Sequence, residues 1–196
     1  MVATAKLKRA SDRALAAQPY ADKVQALIAR LTASATVAHP LLARRPVRHV
    51  TVIVIASNRG LCGSYNANTV RIGKGALDEA EKAGRGTRLV VAGKKALALL
   101  KFEGRQVQDS ITDLGENPDF ASAERVADQV IRRFVTGETD EVKVAYAKFV
   151  SLGKQVATLD TLLPLALPGS PAGARTGAGA AAAASEDLIY EPSASL

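Results

Sequence analysis

Apolar residues near the start of the chain recur at alternating spacings of three and four, as on one side of a supercoiled helix. The pattern lasts about four heptads and predicts a helical arm over residues 1–45 that forms half of a coiled coil. The predicted seam consists of Leu7, Ala10, Ala14, Ala17, Ala21, Val24, Ile28, Leu31 and Ala35. An ordinary helix packed on its own domain is the alternative, but it would want a wider apolar stripe. Pro19 lies within the seam and predicts a kink.

From residue 46 the pattern changes to apolar runs separated by amphipathic segments. It predicts strands near 49–56, 88–92, 106–111, 141–149 and 187–191, and helices near 66–83, 94–102 and 121–136. Strands separated by helices favour a Rossmann-like α/β domain over 46–196, with a mostly parallel sheet and helices on both faces. Residues 156–167 fit either an extended or a helical segment, and residues 168–185 read as a flexible low-complexity insertion.

Glycines and capping residues mark the ends of the predicted helices. Gly84 and Gly104 are expected to end the first two helices of the domain, and Asp119 or Ser122 is expected to cap the third.

The net charge changes the interpretation of the arm. Residues 1–48 contain nine basic and two acidic residues, which equals the net charge of +7 of the whole chain. Lys6, Lys8, Arg9 and Arg13 form the predicted basic face. Such an arm suits an acidic protein surface, an anionic membrane or nucleic acid, and a solvated helix face explains it about as well. Tyr20 is the only aromatic residue of the arm, which disfavours base stacking on nucleic acid.

The turn at residues 58–66 follows a β-branched strand and precedes a helix, where doubly wound folds bind phosphate. Its two glycines satisfy neither the dinucleotide fingerprint nor the phosphate-loop template. We therefore favour a tight structural turn, in which Gly60 and Gly63 adopt backbone angles that suit glycine, over a nucleotide- or phosphate-binding module. Cys62, the only cysteine, is expected to be a small packed side chain rather than a nucleophile.

Other chemistry has little support in the sequence. His39 and His49 are the only histidines, and no cysteine or carboxylate stands at metal-ligand spacing from them. No apolar stretch is long enough to span a bilayer, and the amino terminus lacks the apolar core of a signal peptide. The sequence predicts neither a catalytic constellation nor a metal or cofactor site.

The turn resembles the signature of the gamma subunit of F-type ATP synthases at six positions, namely Arg59, Gly60, Leu61, Cys62, Gly63 and Asn66. We call it the signature turn. The usual form there is Asp-Arg-Gly-Leu-Cys-Gly-Gly-Phe-Asn, from which Asn58, Ser64 and Tyr65 depart. Further stretches are similar to that family and follow one another in the same order along the chain, namely residues 1–10, 149–151, Gln155, 162–165 and 190–193. By this resemblance, the first turns of the amino-terminal helix and the whole carboxy-terminal helix of the family lie outside these residues.

The resemblance implies a non-catalytic rotor, the central stalk that couples proton flow across a membrane to ATP synthesis at the beta subunits. The implied partners are the alpha and beta subunits, the epsilon subunit and the membrane c-ring, with no cofactor and no nucleic acid. It also implies a peripheral location, on the cytoplasmic face of a bacterial plasma membrane or on the matrix side of an organelle inner membrane. A phosphate-binding module is the alternative, followed by a basic-helix nucleic-acid binder.

Overall fold

The computed structural model describes residues 2–33, 39–112 and 120–165. The chain divides into two compact units, one of residues 1–42 with 166–196 and one of residues 43–165. Several predictions fall outside the described residues: the seam position Ala35, the strand at 187–191 with the family-like stretch 190–193, the insertion at 168–185 and the cap at Asp119.

The arm is a single α-helix, α1, from Val2 to Ala33. A 3-10 turn from Pro40 to Leu42 comes later in the chain. Pro19 lies inside this helix, which continues past it. At a rise of 1.5 Å per residue, the helix is roughly 48 Å long. The helical prediction is confirmed over these residues, whereas the pairing of the arm with a second helix stays a prediction.

The second unit is built on a five-stranded sheet of order β3-β2-β1-β4-β5. Its strands are β1 His49–Ile55, β2 Gly86–Ala92, β3 Asp109–Ile111, β4 Glu141–Ser151 and β5 Lys154–Leu163. The pairings from β3 to β4 are parallel, and β5 is antiparallel to β4. The prediction of a mostly parallel α/β sheet is confirmed. The segment that fitted two structures, 156–167, is extended as far as Leu163.

Three helices connect the strands, namely α2 Tyr65–Lys82, α3 Lys94–Phe102 and α4 Phe120–Val135. Gly84 and Gly104 end α2 and α3 at φ 70° and 74°, as predicted. The amides of Arg85 and Arg105 then bond back to Ala80 and Leu100, which satisfies the last carbonyls of each helix. Ser122 is not a cap, because α4 already begins at Phe120.

The core lies on both faces of the central strand β1. Val50, Val52 and Val54 face α2 and α3 in one apolar cluster with Leu77 and Leu100. Side chains alternate along a strand, so Ile53, which is also buried, faces the other side. Crossovers between parallel strands are right-handed, and the connection from β3 back to β4 therefore carries α4 to that second face. Burial of both faces explains why β1 is a continuous β-branched run.

The segment that leads into β1 is fastened to the turn between α4 and β4. The carboxylate of Asp140 accepts hydrogen bonds from the amides of Arg48 and His49, at 2.9 and 3.0 Å. The guanidinium of Arg45 lies 3.5 Å from the same carboxylate, donates to the carbonyls of Phe134 and Thr139, and stacks on the Phe134 ring at 4.8 Å. We call these contacts the Arg45–Asp140 latch.

The latch holds its carboxylate in the charged form. Burial alone would raise the pKa of Asp140, but the two amide bonds and the charges of Arg45 and His49 together lower it below 3.8. The ionised form is therefore favoured by folding, and its contribution to stability is lost as the pH falls through the folded-state pKa.

We predict that Asp140→Asn lowers the free energy of unfolding by about 1–3 kcal/mol near neutral pH, because bonds to a charged acceptor are replaced by weaker ones. The difference from the unsubstituted chain should shrink as the pH falls from the ordinary pKa of 3.8 towards the lower folded-state pKa, since over this range the carboxylate becomes protonated in the unfolded chain before it does in the folded one. Urea unfolding followed over this pH range measures the difference. A difference that does not change with pH would contradict the account.

Two glycines of α2 provide a matched test of how closely this helix packs on the sheet. A Cβ added at Gly73 would lie 2.5 Å from Cγ2 of Val54, whereas nothing lies within 4 Å of one added at Gly75. We predict that Gly73→Ala costs about 1–3 kcal/mol of stability through overpacking. Gly75→Ala should instead stabilise by roughly 0.5–1 kcal/mol through helix propensity. Thermal or urea unfolding of both variants decides the matter, and equal effects would show that α2 can move away from β1.

Candidate functional site

The predicted seam of the arm is largely uncovered in the structure. Leu7 is 55% exposed, and the alanines at 10, 14, 17 and 21 are exposed as well. Val24 and Ile28 are half-buried. The side chain of Leu31 lies outside the described residues. The described part of the seam is therefore accessible to another helix over most of its length.

Helix geometry separates the four predicted basic residues. At about 100° per residue, Lys6, Arg9 and Arg13 lie within about 60° of one another and flank the seam. Lys8 lies on the opposite side of the helix, about 160° from the seam centre. All four side chains are exposed. The basic face therefore comprises three of the four predicted residues, and Lys8 points elsewhere.

The signature turn leaves the carboxyl end of β1 and is hydrogen-bonded to the neighbouring connection between β2 and α3. The amide of Ala56 donates to Ala92 at 2.8 Å, and the amide of Lys95 donates to the Ser57 carbonyl at 3.2 Å. The side chain of Asn58 accepts from the amide of Lys94 at 3.0 Å. Asn58, which departs from the family signature, thus binds the amino end of α3.

Gly93 makes this close approach possible. It adopts φ 118°, and a Cβ there would lie 2.3 Å from the carbonyl oxygen of Ala56. No other residue fits that position without moving the backbone. Gly93 was not among the glycines predicted to be structural, although a glycine between a strand and a helix was the available signal.

Asn66 closes the turn from the first turn of α2. Its Oδ1 accepts from the amide of Ser57 at 3.0 Å, and its Nδ2 donates to Sγ of Cys62 at 3.1 Å and to the carbonyl of Arg59 at 3.4 Å. One amide side chain therefore joins the strand end, the turn and the helix. These bonds give Asn66 a structural role that needs no ligand.

The backbone prediction for the glycines holds at one position only. Gly63 adopts φ 57°, but Gly60 does not adopt a positive φ, and a Cβ there would make an ordinary 3.5 Å contact with Lys95. The second residue with positive φ is Leu61, at 59°, and its side chain is fully exposed. The prediction for Gly60 is wrong because the chain reverses one residue later.

Cys62 is exposed, so the expectation of a packed side chain is also wrong. The nearby side chain of Tyr65 is partly buried. Burial, and then the charge of the neighbouring Cys62, raise the pKa of Tyr65. No imidazole stands beside the thiol within the second unit, because His49 lies at the opposite end of β1, about 20 Å away along the strand. The described residues contain no group of three or more His, Cys, Asp and Glu that could hold a metal ion.

Two cavities of the α/β domain lie away from the turn. One of about 270 Å³ is lined by polar side chains that include Glu81, Arg105 and Gln108. A smaller one of about 130 Å³ lies beside His49 and Gly86. The larger cavity lies at the amino end of β2 and beside the segment that leads into β3, and the smaller one lies at the amino ends of β1 and β2. Doubly wound folds bind nucleotides at the opposite, carboxyl ends of the strands. In the described part of the chain, no helix is long and apolar enough to cross a membrane.

These observations define the class: an α/β domain with a mostly parallel sheet, preceded by a long helix with an uncovered seam. The chain matches the ATP synthase family model over residues 1–196. It is 36% identical to the ATP synthase gamma chain of Desulfitobacterium hafniense over 195 residues, which covers 99% of this chain and 64% of the relative. The gamma chain of Moorella thermoacetica is also 36% identical, over 98% of this chain and 64% of that one.

The chain therefore belongs to the ATP synthase gamma chain family. It spans about 64% of the length of these two curated relatives. A solved structure of the Tetrahymena thermophila mitochondrial ATP synthase central stalk and c-ring contains a similar chain, with a TM-score of 0.63 and 23% identity. That match covers 84% of this chain and 70% of the other, and it shows the fold.

Two asparagines of α2 give a matched test of the turn. We predict that Asn66→Ala costs about 1–3 kcal/mol, because the partly buried amide of Ser57 loses its partner. Asn68→Ala removes only an exposed bond to Oγ of Ser64, and we expect it to cost no more than about 0.5 kcal/mol. Urea unfolding measures both, and equal costs would show that the turn does not depend on Asn66.

Proposed function

We propose that this chain acts as the central-stalk subunit of an F-type ATP synthase, a rotor that couples proton flow to ATP synthesis on other subunits. The observation that carries the proposal is the match to gamma chains along 99% of the chain. The signature turn is built from internal hydrogen bonds and the seam of the arm is uncovered. Both features suit a mechanical part better than an enzyme.

In this proposal the arm pairs along its seam with a second helix and enters a ring of alpha and beta subunits. The exposed leucine and alanines supply the contact, and small residues let the two backbones approach closely. Lys6, Arg9 and Arg13 flank the seam, where they can meet acidic side chains of the ring. Nucleotide chemistry belongs to the beta subunits, and the chain itself is not catalytic.

The α/β domain is proposed to contact the epsilon subunit and the membrane c-ring. It would then be a peripheral membrane protein, on the cytoplasmic face of a bacterial plasma membrane or on the matrix side of an organelle inner membrane.

We predict that the chain, supplied with a peptide of the carboxy-terminal helix of the Desulfitobacterium gamma chain, co-purifies with that organism's alpha and beta subunits. Leu7→Asp with Ile28→Asp should abolish co-purification, since each charge would be buried in the seam. Leu15→Asp is the matched control, because Leu15 is 50% exposed and lies about 140° from the seam centre. Size-exclusion chromatography with subunit-specific detection is the measurement.

Two results would contradict the proposal. One is failure of the unsubstituted chain to join the ring. The other is a specific rise in melting temperature of the isolated chain with ATP, NAD or phosphate, which would favour the phosphate-binding alternative. Loss of co-purification in the Leu15 control as well would show that the seam is not the contact.

A further inference from the structure

The Arg45–Asp140 latch joins parts of the chain about ninety positions apart in sequence, and every one of its contacts lies within the second unit. On one side are residues 45–49, which lead into β1. On the other are Phe134, Thr139 and Asp140, at the end of α4 and the start of β4. The amide of Asp140 also donates to the carbonyl of His49 at 2.9 Å, so the contact runs in both directions.

The latch is more specific than a surface ion pair. Asp140 is buried, and its carboxylate accepts two main-chain amides, which fixes the backbone and not only a side chain. The guanidinium of Arg45 donates to two carbonyls and stacks on a ring that is 1% exposed. Gly137 adopts φ 82°, and a Cβ added there would lie 3.4 Å from Nη1 of Arg45. A side chain at this position would therefore contact the latch.

A chain that enters a domain without such contacts is a poor transmitter of rotation. Each residue has two soft backbone dihedrals, so a lead-in of several residues can turn about its own axis at little cost. Bonds to two successive amides, together with a planar guanidinium held at three points, remove that freedom over residues 45–49. They hold residues 45–49 at a fixed twist relative to the α/β domain.

We propose that the Arg45–Asp140 latch is a torque-bearing joint, which holds the lead-in segment against twisting when the arm and the α/β domain turn together. The proposal rests on the rotor function proposed above. It assigns Arg45 and Asp140 as positioning residues for mechanical coupling, and neither takes part in ATP chemistry.

The first test uses the chain alone and follows amide hydrogen exchange by NMR. In Asp140→Asn and Arg45→Lys, the amides of Arg48 and His49 should exchange about tenfold faster or more, because their bonds to a charged acceptor are weakened or less well held. The core amides of Val52 and Val91 should be accelerated only by the loss of global stability, and should stay much better protected than the amides of Arg48 and His49. Asp109→Asn is the matched control, since Asp109 also pairs with two arginines, Arg88 and Arg133, and both lie outside residues 45–49.

The second test uses the complex assembled as above, in membranes that contain the c-ring. The latch variants should keep ATP hydrolysis while pumping fewer protons per ATP, and Asp109→Asn should keep both. A general loss of stability would lower hydrolysis, pumping and assembly together. The ratio of pumping to hydrolysis therefore separates a joint from an ordinary stabilising contact.

Each outcome decides the proposal. Unchanged exchange at Arg48 and His49, or exchange of these two amides that is no faster than in the core, would overturn the latch as a local joint whatever the function of the chain. Local loosening with an unchanged pumping ratio would overturn its role in torque while leaving the rotor function standing. Failure of the unsubstituted chain to assemble would overturn the rotor function, and the torque-bearing role with it.

Discussion

The structure of the α/β domain depends on the burial of β1 on both faces and along both edges. Parallel strands β2 and β4 flank it, α2 packs on its even-numbered valines, and Ile53 is buried on the other face. A strand in this position has its backbone groups paired on both sides, so neither of its ends can drift. The signature turn continues from its carboxyl end and the latch fastens its amino end.

Because β1 is held in this way, it positions both the signature turn at its carboxyl end and the latch at its amino end. Gly93 lets the chain after β2 approach Ala56, and the resulting amide bonds hold the turn in one conformation with Leu61 exposed. At the other end, Asp140 holds residues 48 and 49 as they enter the strand. The proposed rotor function would require such rigid placement of both ends, because a loose end would absorb rotation.

Much of the fold could be predicted from the sequence, since strand and helix periods, and the glycines at 84 and 104, act locally. Cys62 and Gly60 could not. Whether a turn residue is exposed or takes a positive φ depends on where the chain reverses, and here Leu61 takes the position expected of a glycine. The latch was equally invisible, because Arg45 and Asp140 are far apart in sequence and each resembles an ordinary surface charge.

The arm differs from the domain in how much apolar area it buries within the chain. Most helical stability in proteins comes from packing an apolar face, and an alanine seam buries little area per residue even when it is paired. That weakness has a use in a shaft: small seam residues bring two helices close together, which makes a narrow rod that fits inside a ring. In the proposed function, rotation would be carried by a thin arm ordered by its partners and by a domain whose order comes from its own core. The place where these two kinds of order meet along the chain is the lead-in segment, where the latch lies.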